Sequence, residues 1–407
     1  MARASQLALV AALLGWAVPA AAQGRGQQVQ LPNGAGKETV EAACTACHGL
    51  NQLRGSVGYS AEGWRALFGT MVQLPEPQMR EVAQYLATNF PPRTGREPRL
   101  VAGNFQIEIE EWIAPTLGQR VRDPHQAPDG AIWWTGMYGS LLGRIDPVTG
   151  EMREYKLDPE ARPHWSGADA QGNIWYMGNG NGTVGRLDPR TGQITVYDVE
   201  ARDPHTGIFD RNGNLVWTAQ GAAMMGRLNP RTGEIVEVPT QGRNPYGVRM
   251  DSQGMLWVAF NGSPMIAKLN PATMELQYFN MPDPETRIRR LDVDSQDKIW
   301  FVNSAKGRIG RLDPVTGNVR EWESPSGPES HPYALEIIDD IVWYNESNQR
   351  PDALVRFDPS METFQSWAIP SGVGIVRNMA VTRDGNLLIH QSSSNRIGLV
   401  RIGDVDR

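Results

Sequence analysis

The chain has 407 residues, which is too many for one ordinary domain. Its 43 glycines, 29 prolines and 13 tryptophans favour many turns and short strands over long helices. The formal net charge is -6 and the chain has no block of basic residues, which argues against nucleic acid or an anionic membrane surface as a partner.

Residues 1–22 are predicted to be a secretory signal peptide. Arg3 precedes an apolar run over residues 7–18, and Ala20–Ala22 then provides an A-x-A cleavage site. The apolar run is too short to favour a transmembrane helix, although an uncleaved N-terminal anchor is the alternative. We expect cleavage after Ala22, export to the periplasm, and no membrane span in the mature protein.

The only two cysteines of the chain lie in the segment Cys44-Thr45-Ala46-Cys47-His48. This C-x-x-C-H pattern is the attachment site of a c-type haem, where two thiols form thioethers and the histidine ligates the iron. A zinc site would need further soft ligands nearby, and a thioredoxin-like pair would need a βαβ context. A structural disulfide between Cys44 and Cys47 is the remaining alternative. We predict one covalent haem c held by Cys44, Cys47 and His48.

Residues 23–92 are predicted to form a small all-α domain around that haem. Three stretches can form helices, and the last of them ends before two prolines that cannot continue a helix. The predicted helices cover residues 38–47, 61–71 and 78–89. Three helices around a haem resemble a small class I cytochrome c. Residues 64–72 (WRALFGTMV) are also similar to the ligand segment of cytochrome c domains in periplasmic dehydrogenases.

The sixth iron ligand is predicted to be a methionine, because His48 is the only histidine of this domain. Met71 and Met79 are the candidates. Met79 falls on an apolar helix face, where packing already explains it. Met71 lies at a helix end beside a loop, so we assign it as the axial ligand. A haem with histidine and methionine ligands carries electrons and has no open coordination position.

Residues 93–104 are polar and turn-rich and are predicted to be a linker, and residues 105–405 form a repeat. An anchor motif, GRIDPVTG in its first copy, recurs in seven copies at intervals of 41 to 45 residues. A spacing of this kind is typical of radial or linear arrays. Its arginine or lysine stands at positions 144, 186, 227, 268, 311, 356 and 401.

Each copy reads as four short strands separated by turns, which predicts one blade of a β-propeller. In most copies the second strand carries a tryptophan. These tryptophans are Trp133, Trp175, Trp217, Trp257, Trp300 and Trp343. The seventh copy stops after three strands, and residues 105–113 look like an orphan fourth strand. We expect that strand to complete the last blade and close the ring, which removes exposed sheet edges.

The repeat unit P-H-x-x-x…D-x-x-G-x-I-W…G-R-L-D-P-x-T-G resembles the streptogramin (virginiamycin B) lyase family of seven-bladed propellers. The resemblance covers about residues 105–405 and implies an all-β seven-bladed propeller. With the small all-α cytochrome c domain predicted before it, the chain is expected to be a multidomain protein. That family opens a cyclic depsipeptide with a histidine base and a divalent metal, such as Mg²⁺, held by acidic side chains. By resemblance, Glu346 with His331 or His390 could supply a metal ligand and a base. One carboxylate is fewer than a divalent site usually has.

A column of polar residues opens the first strands of the blades and is the candidate ligand site. Its first member is placed by an Asp-Pro-His triplet that blade three shares. The column is His125, His164, His205, Tyr246, Arg289, Tyr333 and Arg377. In a propeller such positions surround the mouth of the central channel. Guanidinium groups there favour a small anionic or carboxylated ligand, and the alternative is a structural ring bonded to channel water.

Two functions from different classes therefore remain. The first is a periplasmic haem protein for electron transfer, whose propeller binds a substrate or a redox partner protein. The second is a C–O lyase similar to streptogramin lyases, with an appended cytochrome domain. An elimination moves no net electrons and has no use for a haem, so we favour the first.

Overall fold

The structure is a computed structural model that describes residues 30–45, 50, 53, 58–69, 74–91, 95–372 and 374–403, without the side chains of residues 44, 45 and 69. Three helices come first: α1 (Lys37–Thr45), α2 (Ala61–Gly69) and α3 (Glu76–Asn89). Seven four-stranded antiparallel sheets follow, with 28 strands in all over the described residues. In this part of the chain no helix combines the length and apolarity needed to cross a bilayer.

The helices pack around one apolar cluster because each carries an apolar face. Trp64 and Leu67 from α2 and Leu86 from α3 are fully buried in it, and Val40 from α1 joins them. Tyr85 ties α3 to the chain before α1, since its hydroxyl donates to the Pro32 carbonyl at 2.5 Å. The cluster also includes residues of the propeller, so the helical part and the propeller share a core.

The first six blades each take four consecutive strands. Blades one to three contain β2–β5 (Val121–Gln126, Ile132–Gly136, Leu141–Ile145, Met152–Lys156), β6–β9 (Pro163–Ala168, Ile174–Gly178, Thr183–Leu187, Ile194–Asp198) and β10–β13 (Pro204–Phe209, Leu215–Ala219, Met224–Leu228, Ile235–Pro239). Blades four to six contain β14–β17 (Pro245–Met250, Leu256–Phe260, Met265–Leu269, Leu276–Asn280), β18–β21 (Ile288–Val293, Ile299–Asn303, Arg308–Leu312, Val319–Glu323) and β22–β25 (Pro332–Ile338, Ile341–Glu346, Ala353–Asp358, Thr363–Ala368).

Blade seven is built from both ends of the propeller. It combines β1 (Ile107–Ile113) with β26 (Ala380–Val381), β27 (Leu387–Gln391) and β28 (Arg396–Ile402), in the order β1-β28-β27-β26. β1 pairs antiparallel with β28 from Ile107 opposite Ile402 to Ile113 opposite Arg396. This pairing confirms the prediction that the orphan strand closes the ring, and it covers an edge that would otherwise be open.

In blades two, four and five a hydrogen bond joins the repeated Asp and Trp. The indole Nε1 of Trp175 donates to Asp169 at 2.8 Å, and the equivalent bond joins Trp257 to Asp251 at 2.9 Å. The other oxygen of Asp169 accepts backbone N–H groups in the turn between the first two strands. On the next strand, the guanidinium of Arg186 lies 5.6 Å from the Trp175 ring centroid. The tryptophan and arginine columns are therefore structural.

The glycine of the anchor motif makes room for an aromatic ring on the neighbouring strand. Trp217 lies directly opposite Gly226, and a Cβ added at Gly226 would overlap its indole. Trp134, Tyr176 and Phe301 face glycines in the same way. Trp217 lies in the second strand, as predicted, but Val216 is the residue opposite Arg227.

Blade four fills the same position with a smaller side chain opposite a larger one. There Val258 replaces the aromatic residue and faces Ala267 in place of glycine. We expect Gly226→Ala to lower the free energy of unfolding by about 3 kcal/mol through overpacking. Trp217→Val should cost about as much through lost burial. The double variant recreates the pair of blade four, so its loss should be smaller than the sum by about 1 kcal/mol or more. Urea unfolding measures this cycle, and strict additivity would contradict the steric explanation.

Candidate functional site

The first strand of each blade lines the central channel. From blade to blade these strands contact one another around the whole circle. Each first strand begins beside the end of the second strand, as Pro163 does opposite Gly178. The turns between second and third strands therefore lie at the channel end where the first strands begin. We call this end the ring face.

Seven side chains at the start of the first strands form the channel ring. The channel ring consists of Arg122, His164, His205, Tyr246, Arg289, Tyr333 and Arg377. The His164 and His205 ring centroids lie 3.5 Å apart, and those of His205 and Tyr246 lie 4.4 Å apart. Across the channel the Tyr246 and Tyr333 hydroxyls approach to 2.5 Å. The structure thus brings together six of the seven residues of the predicted column.

His125 is the one predicted member that does not belong to the channel ring. Arg122 lies opposite Thr135 at the start of β2, and the register then shifts so that His125 lies opposite Trp133, further along the strand. The Asp-Pro-His triplet is therefore out of register with its copy in blade three, where Pro204 starts the strand. His125 contacts Ser166, its Nδ1 lying 3.3 Å from the hydroxyl oxygen. Placing His125 in the column is wrong, and Arg122 takes its position.

A spacing in the sequence could have found Arg122. His164 lies 11 residues before Trp175, and Tyr246 lies 11 residues before Trp257. The same interval counted back from Trp133 reaches Arg122. Trp133 lies opposite the anchor residue Arg144, as Trp175 lies opposite Arg186, so the interval from this tryptophan locates the ring residue better than a short sequence triplet does.

The channel ring is cationic and has unused donors. Arg122 is 3% exposed, whereas Arg289 and Arg377 are partly accessible. Among the described residues no hydrogen-bond acceptor reaches Arg122 Nε and Nη2, Arg289 Nε, or Arg377 Nε. Buried polar groups are normally paired, so this set of donors favours an acceptor from a ligand or from ordered water.

The histidines of the channel ring are neutral at pH 7. Burial lowers the pKa of His164 and His205 well below its usual range, and nearby Arg122 and Arg290 lower it further. Tyr333 behaves differently. Although burial alone would raise its pKa, Arg377, Arg289 and Arg122 lower the pKa of Tyr333 to about 7.

A second layer of charges lies directly against the channel ring. Arg290, which is fully buried, donates from Nε to the Arg377 carbonyl and from Nη1 to the Thr206 hydroxyl, both at 3.1 Å. Its Nη2 lies 3.5 Å from Asp123 Oδ2. Arg290 therefore joins four blades and holds the channel together.

The same layer includes a contact between an arginine and a glutamate that was not predicted from the sequence. Arg249 of blade four contacts Glu336 of blade six, and its Nε lies 3.8 Å from Asp292 of blade five. Burial and the neighbouring Asp292 raise the pKa of Glu336 to about 8. In the sequence these charges alternate with apolar residues like any solvent-facing residue of a strand, and only ring closure turns them toward one another.

The residues predicted for a lyase site make hydrogen bonds to other parts of the propeller. Glu346 Oε1 accepts hydrogen bonds from the Ser324 hydroxyl at 2.6 Å and from the Ser326 amide at 2.8 Å. His331 Nδ1 lies 2.8 Å from the Ser347 hydroxyl. His390 Nε2 accepts the Arg377 amide at 3.3 Å. Over the residues that the structure describes, no three His, Cys, Asp or Glu side chains are grouped to hold one metal ion.

Of the predicted haem residues, only the backbone of Cys44 is described, in the last turn of α1. Cys47, His48 and Met71 lie outside the described residues, as does the predicted signal peptide. Met79 is buried in the apolar cluster of the helices. In the same cluster the Trp64 indole Nε1 is buried and has no hydrogen-bond partner among the described residues.

Tyr59 docks the helical part on the ring face. Its hydroxyl donates to the carbonyl of Ser394, in the turn between β27 and β28. The Arg396 guanidinium lies 5.3 Å from the Tyr59 ring centroid, and Leu117 of the β1–β2 connection joins the helical core. All three propeller residues belong to the ring face.

The described part of the predicted linker is bound along blade six. The Arg350 amide donates to the Arg96 carbonyl at 2.7 Å, and the Ser366 amide donates to the Val101 carbonyl at 2.9 Å. The Val101 amide in turn donates to the Ser366 hydroxyl at 2.8 Å. These bonds hold the segment that connects the helices to β1 against the propeller.

A model of the virginiamycin B lyase family matches residues 232–406. Among curated proteins no sequence matches this chain. A selenomethionine-substituted virginiamycin B lyase from Staphylococcus aureus is 19% identical, with a TM-score of 0.66 over 73% of this chain and 100% of that chain. A streptogramin B lyase structure is 20% identical, with a TM-score of 0.65 over 73% and 98%.

A hydrazine synthase chain from Kuenenia stuttgartiensis is also similar in structure. It is 13% identical, with a TM-score of 0.60 over 71% of this chain and 97% of that chain. At such identities the likeness concerns the fold. Together the comparisons support a seven-bladed propeller of the kind found in virginiamycin B lyase.

The neutral histidines predict a dependence of stability on acid. In the unfolded chain a histidine binds a proton near its ordinary pKa of 6.5, whereas His164 and His205 stay neutral in the fold. Their contribution is complete above pH 6.5 and is lost as the pH falls below that value. We expect the free energy of unfolding to fall between pH 6.5 and pH 5, by up to about 1.4 kcal/mol per pH unit for each histidine. Thermal unfolding over this range should show a shallower slope for His164→Asn, and an unchanged slope would refute this origin.

Proposed function

We propose that this protein is a periplasmic electron-transfer protein with one covalent haem c, whose propeller binds a small anionic ligand or a redox partner at the channel ring. The observation that carries the proposal is the C-x-x-C-H motif, which holds the only two cysteines of the chain. The helical part next to this motif docks on the ring face, which supports a haem site on the same side of the molecule as the channel ring.

Two features of the described residues fit a haem. Cys44 falls in the last turn of α1, and a helix delivers the first thiol of such a motif. Among the described residues the buried Trp64 indole N–H has no acceptor, and a haem propionate could provide one. Cys44 and Cys47 would form the thioethers, and His48 and Met71 would be the axial ligands. When bound, the haem supplies one-electron redox chemistry.

The channel ring supports an anionic ligand because its charges are unbalanced. Arg122, Arg289 and Arg377 face the ring histidines and tyrosines without a carboxylate among the seven residues. The carboxylate of Asp123, which follows Arg122 in the chain, lies 3.5 Å from the Arg290 guanidinium. Guanidinium donors that lack acceptors suit a carboxylate or another oxyanion.

A lyase is the second candidate, and the family match over residues 232–406 is the observation that favours it. Under that function Glu346 would supply a metal ligand, with His331 or His390 as base. Glu346 would first have to give up its hydrogen bonds to Ser324 and Ser326. Opening of a streptogramin ring by the purified protein would move the assignment to this candidate.

The haem assignment predicts different effects for two methionines. We expect the exported protein to keep its haem after denaturation, because thioether bonds are covalent. The double variant Cys44→Ser/Cys47→Ser should lose the haem completely, because it cannot form these bonds. Met71→Ala should change the haem absorption spectrum and lower the reduction potential, because a methionine ligand raises it. Met79→Ala is the matched control and should lower stability while leaving the spectrum unchanged. A changed spectrum in Met79→Ala alone would transfer the ligand role to Met79.

The channel ring predicts a loss of anion affinity on removing charge. Arg289→Gln and Arg377→Gln should each weaken the binding of succinate about 10- to 100-fold, as expected for a charge-assisted hydrogen bond. Arg190→Gln is the control, because its side chain is 80% exposed on a turn between outer strands. Isothermal titration calorimetry at low ionic strength measures the dissociation constants. Equal constants for all three variants and the wild type would remove the anion site from the channel ring.

A further inference from the structure

We propose that an anion entering the channel ring replaces the negative charge of Tyr333, so that one proton is taken up by this tyrosine for each anion bound. The proposal rests on the anion site proposed above and adds its ligand class and its dependence on pH. The ligand class is a small carboxylate or oxyanion that offers several acceptor oxygens to Arg122, Arg289 and Arg377.

The geometry of the tyrosine pair indicates a phenolate. The Tyr246 and Tyr333 oxygens are 2.5 Å apart. Two neutral hydroxyls normally lie about 2.7–2.8 Å apart, whereas a hydroxyl and an anionic oxygen approach to about 2.5–2.7 Å. A contact this short suits a Tyr246 hydroxyl that donates to a Tyr333 phenolate, and the Tyr333 oxygen also accepts Nη1 of Arg377 at 3.1 Å.

The groups around the pair decide which tyrosine loses its proton. The Arg289 guanidinium lies 4.6 Å from the Tyr333 ring centroid and 6.0 Å from that of Tyr246. Burial and the neighbouring Tyr333 raise the pKa of Tyr246, whereas the arginines lower that of Tyr333 to about 7. The ionisable groups that face the pair from the packed strands are Arg122, Asp123, His164, His205, Arg289, Arg290, His331, Arg377 and His390. The histidines among them are neutral, and Asp123 is paired with Arg290.

The phenolate is therefore the only anion that the channel ring itself supplies to its three arginines. A ligand anion placed among the same arginines would lie beside the phenolate, and two like charges in a buried site do not both persist. Protonation of Tyr333 removes the repulsion and frees the guanidinium donors for the ligand. The buried Nε and Nη2 groups of Arg122, which have no acceptor among the described residues, are available to the ligand from the start.

The dissociation constant of the anion should depend on pH only above pH 7. Below pH 7 Tyr333 already carries its proton, so binding takes up none and the dissociation constant is independent of pH. Above pH 7 each bound anion must bring a proton, so the dissociation constant rises about tenfold per pH unit. A site made of arginines alone would show no such change, because arginine keeps its charge throughout this range.

The test is calorimetric titration of the full chain with succinate and with sulfate at pH 8, where both probes are fully ionised. Tris and triethanolamine buffers differ in ionisation enthalpy, and the difference in observed heat counts the protons taken up. We expect about one proton per anion for the wild type and none for Tyr333→Phe. Tyr197→Phe, which alters an outer-strand tyrosine stacked 5.8 Å from Trp175, should keep the uptake.

The outcomes separate this inference from the proposed function. Anion binding by the wild type without proton uptake would overturn the exchange and leave the anion site in place. Absence of binding by either probe would overturn both the exchange and the anion site. The wild-type result decides the question even if Tyr333→Phe does not fold. As an independent check, the near-ultraviolet band of tyrosinate should titrate near pH 7 in the free protein and lose this step when succinate is present in excess.

Discussion

The antiparallel pairing of β1 with β28 brings residue 107 against residue 402 and joins blade one to blade seven. Without it Arg122 and Arg377 would lie on the two free ends of an open array. Closure brings these like charges to the same channel mouth, where they repel each other. The seven registered backbone pairs of this interface, together with the apolar residues that β1 buries, offset that cost.

Inside the closed circle the charges are organised by contacts between blades that are not neighbours. Arg290 of blade five reaches blades three, seven and one, and Arg249 of blade four reaches blade six. Such contacts exist only because the channel is narrow enough for side chains to cross it. Burial makes each of them costly to break, since a buried charge without its partner is strongly destabilising. The cationic ring is thus held by a second layer that carries both signs of charge.

The sequence predicted the architecture better than the details of the site. The anchor motif and its interval were sufficient for seven blades and for closure by the orphan strand, because a fixed repeat permits few other folds. The error at His125 is a register error, in which a short similarity was preferred to the interval between the ring residue and the tryptophan opposite the anchor arginine. The contact between Tyr59 and Ser394 joins residues 335 positions apart and belongs to no repeat, so nothing periodic could reveal it. The Arg249–Glu336 pair has the same explanation, since pairing across a channel leaves no local signal.

The position of Ser394 also has a consequence for the order in which the molecule folds. Tyr59 stands before the propeller in the chain, but its acceptor belongs to the last blade, and β1 likewise waits for β28. Contacts of such sequence separation form late and slowly, because a long loop must close before they stabilise anything. The helical segment therefore spends the synthesis of all seven blades without its docking surface. The final blade supplies that surface only when its last strand joins β1.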